Sequence, residues 1–108
     1  MDTPLSVATA RQRDGTYMLV ASGEIDLSNI SVFTEALNRT IAEAPGLEPV
    51  TVNLSAVEYL DSGAINVLFD RVNRVRVIAN PVLLPVLHVS GLADLTTVES
   101  APSDGPPA

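Results

Sequence analysis

The residues best suited to chemistry stand three in a row, Asp61-Ser62-Gly63: a carboxylate, a hydroxyl and a glycine. They follow the β-branched run Val50-Thr51-Val52-Asn53-Leu54 and precede apolar residues at helical spacing, so they fall where a helix begins. At a helix start the first backbone N–H groups have no partner within the helix, and the positive end of the dipole favours an anion. Ser62 is therefore placed to carry a phosphate. Asp61 or Ser62 would serve equally as an N-cap, the role such residues most often fill.

Little else in the chain offers chemistry. The single histidine, His88, stands in the apolar stretch from Leu83 to Leu92, the setting of a packed helix residue and not of a ligand or base. With no cysteine, disulfides, thiol catalysis and cysteine-ligated zinc are excluded. The sequence has no Walker A loop, no G-x-G-x-x-G fingerprint, no G-x-S-x-G elbow and no H-E-x-x-H helix, so no cofactor and no metal are expected. Glu24 with Asp26, and Glu58 with Asp61, are the nearest carboxylate pairs, but such pairs are ordinarily solvated loop charges. Thirteen acidic residues against six basic ones give a net charge of -7, which repels the phosphate backbone of nucleic acid.

The elements that position Asp61-Ser62-Gly63 follow from periodicity. Leu5 to Arg11 alternates weakly, Asp14-Gly15 suits a tight hairpin turn, and Tyr17 to Gly23 reads as a second, more interior strand. Ile30, Phe33, Leu37, Ile41 and Ala44 share one helix face, with Ser28 or Asn29 as cap, Asp26 near the positive end, and Pro45-Gly46 as the stop. Val50 to Leu54 predicts an inner strand. A loop then leads to a second helix from Asp61, with Ile65, Leu68, Phe69, Val72 and Val75 on its apolar face. Val75 to Ala79 predicts another strand, Pro81 to Val89 a third helix kinked or shortened by Pro85, Gly91 its end, and Leu95 to Val98 a last strand.

The order β-β-α-β-α-β-α-β predicts an α/β domain: a small mixed β-sheet of four to five strands with helices packed on one face. At 108 residues, 46% apolar and 18% charged, the chain has room for one such domain. It is expected over residues 1–99, with a disordered Pro/Ser/Gly tail over 100–108. The start Met1-Asp2-Thr3-Pro4-Leu5 lacks the features of a secretory signal, and no stretch is long and apolar enough for a bilayer. A cytoplasmic protein with no membrane partner is expected.

Several short motifs in a fixed order resemble a known family. Gly23-Glu24-Ile25-Asp26 after a strand, Val52-Asn53-Leu54-Ser55 through Tyr59-Leu60-Asp61-Ser62-Gly63 into a helix, and Val89-Ser90-Gly91-Leu92 together resemble the STAS domain of anti-sigma factor antagonists. The resemblance runs from about Leu5 to Glu99 and implies a small sheet with helices on one face. It implies a partner-switching protein that is not an enzyme. Such an antagonist binds a kinase-type anti-sigma factor, frees a sigma factor, and is inactivated when that kinase phosphorylates a loop serine, with a serine phosphatase as a further partner. Phosphate would disrupt docking by repulsion and desolvation. The docking face it implies holds Asp26, Ser28, Asp61, Ser62, Gly63 and Asn66, with Ser62 as the phosphorylation site.

The sequence departs from that family at the acceptor. The motif usually reads Asp-Ser-Ser-Gly or Asp-Ser-Thr-Gly with phosphate on the second hydroxyl residue, whereas a gap-free match puts Gly63 there and Ala64 at the glycine. Either Ser62 is phosphorylated from a different geometry, or the protein is a constitutive or differently regulated binder. The segment between the second helix and Val77 is also shorter than the family pattern and has no Gly-Gly turn. Two other readings stay open: an accessory STAS-type subunit of a transporter or stress-sensing complex, and a small anion- or nucleotide-binding protein, or an enzyme, using the helix start near Ser62 with His88.

Overall fold

The computed structural model of the chain describes residues 4–102. Ser6–Arg11 (β1) and Tyr17–Ile25 (β2) form the expected antiparallel hairpin, from Ser6 opposite Ser22 to Arg11 opposite Tyr17. Gly15 closes the turn at φ 89°, a left-handed angle that a side chain would strain. Asp14 braces it by accepting from the Thr16 amide at 3.0 Å and the Thr16 hydroxyl at 2.6 Å. Val50–Leu60 (β3), Val75–Ala79 (β4) and Val98–Ser100 (β5) add in sequence order, each parallel to its predecessor in a sheet ordered β1-β2-β3-β4-β5. The helices are Ile30–Glu43 (α1), Ser62–Phe69 (α2), Leu84–Val89 (α3) and Leu92–Leu95 (α4), with a 3-10 turn at Pro81–Leu83 leading into α3. This is the expected small mixed sheet, here of five strands.

Alternation decides which face the helices cover. Leu19, Ala21 and Ile25 of β2, Val50, Val52 and Leu54 of β3, and Val75, Val77 and Ala79 of β4 all project to one side and are buried. Phe33 and Leu37 of α1, Leu68 of α2, Leu87 of α3 and Leu92 of α4 complete that core. Each large side chain so enclosed contributes about 1.5–3 kcal/mol. Val20, Asn53 and Ile78, opposite one another in register on the other face, are only half-buried.

The structure corrects the expected elements in four places. The strand does not end at Leu54; β3 continues to Leu60, so no loop precedes α2. Two β-bulges explain why the sequence hid this. Between the Val20/Asn53 and Ser22/Ala56 pairs, and again between Gly23/Val57 and Glu24/Tyr59, β3 advances one residue more than β2. Each extra residue resets the alternation, so the buried apolar positions run 50, 52, 54, then 57 and 60, and the period of two is lost. Second, α2 stops at Phe69, leaving Val72 in a turn, while Val75, a boundary residue between the expected helix and strand, opens β4 as the expected strand had it. Third, Leu95 closes the short helix α4 and the last strand runs instead from Val98 to Ser100. Ala101, buried, donates its amide to the Ala79 carbonyl at 2.7 Å, beyond the boundary expected at Glu99. The rest of the expected tail, 103–108, lies outside the described residues. Fourth, Asn29 stands at the N-cap of α1 without a side-chain cap, because its amide group is used elsewhere. Pro85 sits in the first turn of α3, where its missing N–H costs nothing, and Gly91 at φ 89° follows that helix.

Candidate functional site

The parallel pairing of β2 with β3 fixes the site. Ile25 faces Leu60 on the last rung, and the Asp61 amide donates to the Ile25 carbonyl at 3.1 Å. The chain therefore leaves β2 for α1 and β3 for α2 at the same end of the sheet, and both helix N-termini open there. Asp26, Ser28, Asp61, Ser62, Gly63 and Asn66, nominated from the sequence, all belong to these two adjoining exits.

The exit from β2 is knotted by side chains. Asp26, half-buried, accepts from the Ser28 amide at 2.9 Å and the Ser28 hydroxyl at 2.5 Å. Its own amide donates to Asn29 Oδ1 at 2.9 Å, while Asn29 Nδ2 donates to the Glu24 carbonyl at 2.9 Å. Ser28 is thus exposed but its hydroxyl is committed to Asp26. The knot carries Leu27 at its tip with 84% of its surface in solvent.

The exit from β3 is capped. Asp61 has extended backbone angles and its Oδ1 accepts from the Ala64 amide at 3.0 Å, satisfying one of the free donors of α2. Because Asp61 makes the cap, Ser62 is left outside it, exposed on the first turn, with Asn66 exposed one turn further along the same face. Gly63 is half-buried, and a Cβ placed on it would lie 3.3 Å from Asp61 Oδ1. A side chain at position 63 would press on the capping carboxylate.

Periodicity passed over several residues that the fold brings to this end. Glu24 lies opposite Tyr59 on the last rungs of β2 and β3, and Glu58 is exposed beside it in the second bulge. Leu27, Val32 at 47% and Tyr59 at 49% are large apolar side chains left in solvent. Leu27 had a sequence signal, being a leucine in a polar connection outside any helical or strand period; Val32 had none.

Other candidates stand apart. His88 is exposed on the last turn of α3, outside the two exits that hold Ser62. Among the described residues no group of three or more acidic or histidine side chains converges as for a metal ion. None of the described helices is long and apolar enough to cross a membrane. A cleft of about 650 Å³ opens where β3, β4 and β5 diverge, lined by Ser55, Ala56, Asn80, Pro81, Ser100, Ala101 and Pro102, none of them charged.

Comparison with known proteins bears on the family and the fold. The chain is 28% identical over 107 residues to the anti-sigma-F factor antagonist RsfA of Mycobacterium tuberculosis, covering 89% of this chain and 84% of that protein. Its fold is similar to that of an anti-sigma factor antagonist from Mycobacterium paratuberculosis (TM-score 0.76, 23% identity, 89% of this chain and 86% of that one). It is also similar to SpoIIAA in its unphosphorylated form (TM-score 0.69, 14% identity, 92% and 90% covered). The model of the STAS domain family matches residues 7–103, and with the five-stranded sheet and paired helix starts in place, the chain belongs to the STAS domain family.

Proposed function

We propose that this protein is an anti-sigma factor antagonist: a non-catalytic, cytoplasmic binding module that docks on a kinase-type anti-sigma factor and so frees a sigma factor. The observation that carries the reading is the convergence of Asp26, Ser28, Asp61, Ser62, Gly63 and Asn66 at the adjoining exits of β2 and β3, with Ser62 exposed among them. The name of the mycobacterial relative supports it.

Ser62 is the phosphate acceptor in this reading. Its hydroxyl lies outside the cap, at a helix start where backbone donors stabilise an anion. A phosphate there adds about -1.5 to -2 charges and three strongly hydrated oxygens to the contact surface. A serine phosphatase would restore the binding form.

Co-purification from the native cytoplasm, repeated with Ser62→Ala and Ser62→Glu, tests the proposal. An ATP-binding anti-sigma factor is expected with the parent protein and with Ser62→Ala, and in smaller amount with Ser62→Glu. Incubation of the purified pair with ATP should place one phosphate on Ser62 by mass spectrometry. Equal capture by all three variants together with no added mass would leave binding without a phosphate switch; recovery of a transport protein instead would overturn the reading.

A further inference from the structure

The excess charge of this chain is not spread over its surface. Its basic residues are all arginines, and they occupy residues 11–13, 39 and 71–76. Arg11 ends β1 opposite the start of β2, and Arg76 stands in the second rung of β4. Arg71 reaches Asn38 of α1 at 2.9 Å and Arg74 reaches the Ile41 carbonyl at 3.4 Å, which places both against the second half of α1. These arginines thus gather toward the end of the sheet where β2, β3 and β4 begin, with Asp14, Glu43, Glu48 and Asp70 in the neighbouring turns and helix ends. At the opposite end Glu24, Asp26, Glu58 and Asp61 crowd the last rungs of β2 and β3, and no arginine belongs to those segments. The starts of α1 and α2 return roughly +0.5 each, so this pole keeps about -3.

The same pole carries exposed apolar side chains. Leu27, Val32 and Tyr59 follow or lie on the ends of β2 and β3 and the start of α1, and large apolar groups left in solvent in one region mark a contact surface. Aromatic and leucine anchors ringed by charge are the anatomy of a protein interface, whereas a small-ligand site would be concave.

We infer that this pole docks a protein whose contact patch is cationic around an apolar recess: Leu27 and Tyr59 supply the anchors, and Glu24 and Glu58 meet arginine or lysine of the partner. The inference rests on the antagonist reading for the identity of that partner but not for its chemistry. It changes the account of the switch. Against a cationic surface the charge of a phosphate on Ser62 is attractive, so release comes from the bulk and desolvation of the phosphate at the start of α2 and not from repulsion.

Two arms test this. In the first, the anti-sigma factor recovered by co-purification is titrated with the parent protein, Glu24→Gln/Glu58→Gln and Leu27→Ala at low and high salt. The charge-neutral pair is expected to weaken binding about tenfold at low salt and much less at high salt, mainly through the on-rate, and Leu27→Ala to weaken it about tenfold at both. Binding that ignores salt and both variants would overturn the inference and leave the antagonist reading standing. In the second arm, backbone amide shifts of the full chain are followed with a synthetic arginine/leucine helical peptide and its glutamate/leucine counterpart. Shifts confined to residues 24–32 and 56–66 with the cationic peptide alone support the inference even if no anti-sigma factor is recovered. Shifts that are absent, spread over the sheet, or equal with the acidic peptide overturn it.

Discussion

Removing the Asp61 cap isolates the bond that sets Ser62 in place. Asp61 Oδ1 accepts from the Ala64 amide at 3.0 Å, and Ala64 itself is fully buried, so water replaces the lost acceptor poorly. Loss of an N-cap costs about 0.5–2 kcal/mol, and burial puts Asp61→Ala toward the upper part, about 1.5–2 kcal/mol. With a urea slope of about 2 kcal/mol/M for a small protein, the unfolding midpoint should fall by roughly 0.75–1 M. Asp61→Asn keeps a side-chain acceptor and removes the charge; asparagine caps as well as aspartate, so its midpoint should stay within about 0.25 M of the parent. The assay is equilibrium urea unfolding followed by far-UV circular dichroism for the three proteins. If Asn costs as much as Ala, the carboxylate acts through its charge and not through the cap. If Ala costs less than about 0.5 kcal/mol, the α2 start is held by something other than Asp61.

Other perturbations read other parts of the structure. Phe33→Ala empties the centre of the α1–sheet contact, where Phe33 is fully buried; it should cost about 3–5 kcal/mol in urea unfolding, a large part of a small domain's stability. Leu27→Ser, at a side chain 84% exposed, should change stability by less than about 0.5 kcal/mol in the same measurement, so any loss of binding by Leu27 variants reports contact and not folding. Gly63→Ser adds a Cβ 3.3 Å from Asp61 Oδ1 but restores helix propensity; these opposed effects, each about 0.5–1 kcal/mol, should leave the urea midpoint nearly unchanged, and a loss above about 2 kcal/mol would contradict the geometry. Hydrogen bonds from the Thr16 hydroxyl and then its amide hold the Asp14 carboxyl below its ordinary value of 3.8. The folded state therefore binds this proton less readily than the unfolded one. The contribution is complete above pH 3.8 and is lost as pH falls through the lowered folded value. Asp14→Asn should flatten that acid limb in a series of urea midpoints, and an unchanged limb would show the turn bonds to be absent in solution.

Local signals in the sequence determined more of this protein than its brevity suggests. The Asp14-Gly15 turn, the 3.6-residue period of Ile30, Phe33 and Leu37, and the β-branched run at Val50 each depend on neighbours within a few residues, and each reappears in the fold. The helix start at Asp61-Ser62 was legible for the same reason. Tertiary structure alone decided the rest. The bulges that carry β3 to Leu60 exist because β2 supplies a partner there and because Val57 and Leu60 find the core only if the alternation slips; neither cause is local. The meeting of the β2 and β3 exits, and with it the gathering of Glu24, Asp26, Glu58 and Asp61 opposite the arginines, follows from parallel pairing between segments some thirty-five residues apart. Composition gives a net charge of -7, but only the direction in which the strands run turns that sum into a pole.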